Sequence, residues 1–217
     1  GSYLSVNALG AVRMTVTAQK PGPGGQADLS EAYRSVRSHS VALAAPLSPE
    51  DCQIQSMADA SPVKWHLAHT SWFFETVILS RLDGYRPFDP SFDYLFNSYY
   101  EALGPRHPRP RRGLITRPTL QQVLAYRAHV DAAMEKAFTV SALRDAIFLG
   151  LHHEQQHQEL ILTDIKHAFF TNPLLPAYSD AVPEARAATP LEWRLHPGGI
   201  TPIGHAGDGF AFDNETP

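Results

Sequence analysis

The sequence predicts a mainly α-helical protein built around a four-helix bundle, and three observations carry that expectation. Four segments long enough to be helices are separated by proline or glycine breaks. One of them shows a clear apolar stripe at three- and four-residue spacing. No convincing strand pattern occurs before the last twenty residues, so the elements point to helices packed on helices.

Residues 20–27, Lys-Pro-Gly-Pro-Gly-Gly-Gln-Ala, read as the end of a flexible lead-in covering 1–29. Within it Gly1-Ser2 looks like a tag scar and Met14 like an initiator. A first helix is expected from Ser30 to about Leu43, broken by Pro46 and Pro49. The second starts with Ser61 as N-cap and Pro62 in the first helical position. It carries the stripe Trp65, Ala68, Trp72, Thr76 and Leu79 and is closed by Gly84. Residues 85–118, interrupted by six prolines, read as a long irregular connection. A connection of that length inside a compact domain is usually functional. Thr119 and Gln122 have capping-box spacing and open a third helix to about Phe138. Ser141 caps a fourth, which stops near Phe170, before Asn172-Pro173. The domain organisation expected is a bundle over 30–172, a linker over 173–195, and the glycine-rich opening of another domain over 196–217.

The net charge of −4 argues against a general nucleic-acid binder. No run of about 18 apolar residues is present, so no membrane span is expected. The single cysteine, Cys52, excludes an internal disulfide and a thiolate zinc cluster, and it suits a reducing, cytoplasmic setting.

Chemistry is concentrated in the histidines, of which there are eleven. In His152-His153-Glu154-Gln155-Gln156-His157, residues 153 and 157 lie one helical turn apart, so both rings can reach one metal ion. A third ligand can come from His66 or His69 on the second helix, and spacing alone leaves that choice open. Three nitrogen ligands leave coordination positions free, as a catalytic metal requires. The same stretch also matches His-Glu-x-x-His, which makes a zinc metallohydrolase with Glu154 as general base the rival reading. The long connection carries Arg106, Arg109, Arg111 and Arg112, a residue type that grips carboxylates in bidentate fashion.

Taken in order, four segments resemble the ergothioneine sulfoxide synthase family. They are Ser61-Pro-Val-Lys-Trp-His-Leu-Ala-His69-Thr-Ser-Trp-Phe-Phe-Glu75, Phe96-Asn-Ser-Tyr-Tyr-Glu101, Arg106-His-Pro-Arg-Pro-Arg-Arg-Gly113 and His153-Glu-Gln-Gln-His157. Gly209-Phe-Ala-Phe-Asp-Asn-Glu215 adds a likeness to the start of that family's second domain. The resemblance implies a DinB-like four-helix bundle followed by the truncated opening of an α+β domain like the formylglycine-generating enzyme. It implies ferrous iron, Fe(2+), held by His69, His153 and His157, and so decides between His66 and His69. It places Gln156 beside the hercynine imidazole, and Arg109 and Arg112 on the carboxylate of the thiol substrate. The implied reaction joins the sulfur of cysteine or γ-glutamylcysteine to hercynine using dioxygen. Selenoneine synthases, which form a carbon–selenium bond to hercynine, share the quoted motifs. The family's catalytic tyrosine lies in the C-terminal domain, beyond the end of this chain. The rest of the protein or another chain is therefore expected to supply it.

Overall fold

The structure is a computed structural model and describes residues 26–98, 104–180 and 188–217, together with the backbone of Ser5–Val6 and Val12–Arg13. Most of the expected lead-in, Tyr99, Tyr100 and Glu101 of the second motif, and residues 181–187 of the expected linker lie outside the described residues.

Residues 24–178 form one compact unit. Its helices are α1 (Gln26–Ala44), α2 (Val63–Val77), the short α3 (Phe92–Phe96), α4 (Leu120–Ala137) and α5 (Arg144–Thr171). The central helix is α2, packed against both α4 and α5, while α1 packs along α5. That position changes what the apolar stripe of α2 means. Every residue of α2 is buried except Thr76, which belongs to the expected stripe. A helix covered on all sides has no solvent face for an amphipathic pattern to mark. Its polar residues must instead find partners inside. Lys64 does so by donating to the Ile115 carbonyl at 2.8 Å.

The helix limits differ from expectation at three points, and at Ser61 the reason is that its polar groups have other partners. Ser61 does not cap α2, which begins after Pro62. The Ser61 hydroxyl accepts from Arg112 Nη1 at 2.9 Å, and its backbone N–H donates to Asp164 Oδ2 at 2.8 Å. The helix ends at Val77, and Leu79–Arg81 forms a separate 3-10 turn before Gly84, whose φ is +75°. Ser141 likewise begins a 3-10 turn, Ser141–Leu143, rather than capping α5. The capping box of α4 forms as expected: Thr119 Oγ1 accepts the Gln122 N–H at 3.2 Å, and Gln122 Oε1 accepts the Thr119 N–H at 2.8 Å.

Close packing of α5 against α2 depends on Gly150. A Cβ there would lie 2.6 Å from Phe74 Cε1 and 3.2 Å from Phe73 Cε1, so only glycine lets the helices approach this closely. His153 follows within a turn, and its ring stacks on Phe73 at a centroid distance of 4.5 Å.

The second unit comprises residues 1–23 and 179–217. Its described parts are a two-stranded antiparallel pair, β1 (Ser5–Val6) with β2 (Val12–Arg13), and the segment 188–217. In that segment His205 N donates to the Glu215 carbonyl at 2.7 Å, closing a loop over the 3-10 turn Asp213–Glu215. Trp193, Leu195, Ile200 and Ile203 are exposed. No α+β domain is formed among the described residues. No described helix is long and apolar enough to cross a membrane.

Candidate metal centre

Helices α2 and α5 bring His69, His153 and His157 together, each offering one nitrogen within 4.8 Å of the other two. Ring centroids are 5.0 Å apart for His69–His153, 4.7 Å for His69–His157 and 4.6 Å for His153–His157. All three rings are buried. His69 is stacked on Trp65 at 4.5 Å and on Trp72 at 5.4 Å. Its Nδ1 lies 2.6 Å from the Phe96 carbonyl. A carbonyl only accepts, so Nδ1 carries the proton and the Nε2 lone pair is left for a ligand bond.

The support for His69 comes from a region expected to be irregular. Inside 85–118 the short helix α3 receives three N–H groups from α2: Trp72 Nε1 donates to Asp93 Oδ1 at 2.9 Å, Trp65 Nε1 to the Leu95 carbonyl at 3.2 Å, and His69 Nδ1 to Phe96. The four-residue spacing of Phe92 and Phe96, both buried, was the one available sign of this turn of helix.

Burial pushes all three imidazoles toward the neutral form that a metal needs. The His153 pKa is driven down to about 4 by burial. His69 and His157 fall well below the ordinary histidine value, first through burial and then through the neighbouring His153. His153 Nδ1 is buried without a hydrogen-bond partner. An orphaned nitrogen among neutral imidazoles fits a metal ion, which would hold the rings without requiring hydrogen-bond donors between them.

Glu154 is turned away from this cluster. Its carboxylate is fully buried and accepts from Arg37 Nη1 at 3.0 Å, Arg127 Nη2 at 2.8 Å and Ser40 Oγ at 2.7 Å. Burial alone would raise its pKa, but Arg37 and Arg127 hold it at about 2. With both oxygens engaged in ion pairs, Glu154 is not placed to act as a general base at the histidines. His66, the other candidate ligand, lies outside the triad; its Nδ1 is 2.8 Å from His157 Nδ1 and its Nε2 is 2.9 Å from Asp164 Oδ2.

The arginines of the long connection separate by face. Arg109–Leu114 is a 3-10 turn. Three residues per turn put Arg109 and Arg112 on one edge and turn Arg111 away. Arg106, Arg109 and Arg112, with Ser98, line a cleft of about 360 Å³. Arg112 is buried, donates to Ser61 Oγ at 2.9 Å and Ser98 Oγ at 3.2 Å, and lies 3.4 Å above the Trp65 ring. Arg109 donates to the Asp59 carbonyl. Gln156 is exposed on α5, about 60° around the helix axis from His153.

The bundle brings together three histidines that could hold a metal ion, an arrangement that fits a metal-dependent enzyme in the broad sense. Residues 32–161, more than half of the chain, match the DinB superfamily, and the chain belongs to that family. A search of curated proteins finds no match.

Proposed function

We propose that this chain is the N-terminal, iron-holding part of an enzyme that joins sulfur or selenium to hercynine. The observation that carries the reading is the buried group His69, His153 and His157. Next to it, Trp65 stacks on His69 and also packs against Arg112 of the cleft. The order of the quoted motifs supports the family assignment.

For a thiol donor the balance is one thiol, one imidazole C–H and one dioxygen. The S–H and C–H bonds give way to an S–C bond, one oxygen atom ends on sulfur as the sulfoxide, and the other leaves as water with the two hydrogens. Ferrous iron held by the three histidines would supply the redox site for dioxygen. The chain's own residues do the rest of the positioning. Holding both reactants beside one site turns a chance meeting into a local step. Arg109 and Arg112 would grip the donor's carboxylate, and Gln156 would face hercynine. Residues 30–172 would be the catalytic bundle, 173–195 a linker and 196–217 the opening of a formylglycine-generating-enzyme-like domain. The exposed Trp193, Leu195, Ile200 and Ile203 suit a segment whose covering core belongs to a fuller domain. That domain would contribute the catalytic tyrosine.

Zinc hydrolysis by His153-Glu154-x-x-His157 is disfavoured because Glu154 is locked into ion pairs with Arg37 and Arg127.

The test is oxygen uptake by ferrous-loaded protein that includes the following domain, given hercynine with cysteine, γ-glutamylcysteine or a selenium donor. Uptake is expected only with hercynine and one donor, and it is lost in His157→Ala. No uptake with any pair, despite bound iron, overturns the reading. Equal turnover by residues 1–217 alone overturns the need for a second domain.

A further inference from the structure

His66 stands between a candidate ligand and a carboxylate. Its Nδ1 is 2.8 Å from His157 Nδ1, and its Nε2 is 2.9 Å from Asp164 Oδ2. Asp164 Oδ2 also accepts the Ser61 backbone N–H at 2.8 Å, which anchors the carboxylate to the start of α2. All three side chains are buried.

Proton counting along this line leaves one arrangement compatible with metal binding. A carboxylate accepts, so the proton between His66 and Asp164 sits on His66 Nε2. Two facing imidazole nitrogens share a single proton. If His157 coordinates through Nε2, its Nδ1 carries that proton and His66 Nδ1 is the acceptor. The opposite placement would put a proton on His157 Nε2 and block it as a ligand.

We infer that Asp164 and His66 form a two-residue relay that sets the tautomer of His157 and aims its Nε2 lone pair at the metal. Both are positioning residues; neither touches the metal or the substrate. The inference rests on the metal-binding reading given above. The relay differs in kind from the support of His69, which hydrogen-bonds a neutral backbone carbonyl. A carboxylate at the end of the line makes His157 the stronger electron donor of the two.

The test has two arms on the full chain. In the metal-free protein, imidazole 15N shifts report tautomers, with the proton expected on Nδ1 of His157 and on Nε2 of His66. In the second arm, anaerobic ferrous affinity and the visible spectrum of the cobalt(II) form are compared across variants, with metal-free melting curves as a check on folding. His66→Phe is expected to weaken affinity about ten- to hundredfold and shift the cobalt bands. His66→Asn, whose side-chain oxygen takes the place of Nδ1, is expected to restore most of both. Asp164→Asn keeps an acceptor without its charge and is expected to fall between. A proton on His157 Nε2, or unchanged affinity and spectrum in His66→Phe, overturns the relay. If the wild-type chain binds no metal, the metal-binding reading fails, and the tautomers alone still decide the relay. If His66→Phe does not fold, His66→Asn and Asp164→Asn decide it by the same measurements.

Discussion

Glu154 lies beside His153 and three residues before His157, yet the helix turns them into two buried polar regions of opposite character. On one side Glu154 is tied to Arg37, Arg127 and Ser40, and Arg37 continues to Asp131 at 2.7 Å, which in turn accepts the Tyr33 hydroxyl at 2.6 Å. Charges alternate and nearly every polar atom there has a partner; Arg127 Nε is the exception. On the other side the three rings carry no opposite charge, burial keeps them neutral, and His153 Nδ1 has no partner. The difference teaches how to separate structure from function within one motif. A network whose valences are filled by the protein holds the fold, and one that is left open is shaped for something to enter.

The comparison breaks most sharply at Glu154. Glu154→Gln leaves two buried guanidinium groups short of their counter-charge, and a loss of about 3–5 kcal/mol is expected in urea unfolding. A folded variant of wild-type stability that has lost only activity would instead restore the hydrolase reading.

Acid sharpens the comparison by separating the two regions on the pH axis. A buried His153 with a folded pKa of about 4 binds fewer protons than the unfolded chain once pH falls below about 6.5, so its contribution to the stability of the metal-free protein declines from there and levels off near pH 4. The expected loss is about 3 kcal/mol. Glu154 adds a second loss at lower pH: its folded pKa of about 2 lies below the unfolded value of 4.5, so its contribution is full above that value and lost between the two. Unfolding free energies measured from pH 8 to pH 2 should show two falling limbs. His153→Leu should shrink the upper limb, to which the buried His69 and His157 also contribute, and leave the lower one. A single limb at carboxylate pH, identical in both proteins, would overturn the assignment.

The smallest effect is expected at the seam between helices. Gly150→Ala forces a methyl group against Phe73 and Phe74, which costs about 1–3 kcal/mol in thermal unfolding. Because His153 stacks on Phe73, the same change should weaken metal binding, whereas the Glu154 ion pairs should persist. Unchanged stability and metal affinity would show that the α2–α5 contact can relax.

Local rules made some of this legible. The Thr119–Gln122 box depends only on neighbours in sequence, and it formed as read. The 153/157 spacing follows from helical pitch alone. The rest depends on what approaches from elsewhere. Ser61 has the right chemistry for an N-cap, but Arg112 and Asp164, distant in sequence, take its hydroxyl and its N–H. The stripe on α2 lost its meaning because α4 and α5 close over the polar side as well. Residue spacing left His66 and His69 level. They differ in what faces them: a backbone carbonyl of α3 for His69, and the ring of His157 for His66. A carbonyl oxygen leaves no mark in a sequence, so α3 was invisible as a support.

That short helix has a practical consequence for anyone altering the protein. Surface connections ordinarily tolerate insertions, epitope tags and exchange between homologues. Residues 85–118 would pass for such a site by length and proline content, but 92–96 cannot be treated as spare chain. An insertion there would pull away the acceptors of Trp65, His69 and Trp72 together, leaving three aromatic side chains of the central helix without their registration marks. Tolerant positions should be sought outside the stretch between Asp93 and Phe96, and a library that samples loop length would map the edge of the candidate metal centre more sharply than one that samples side chains.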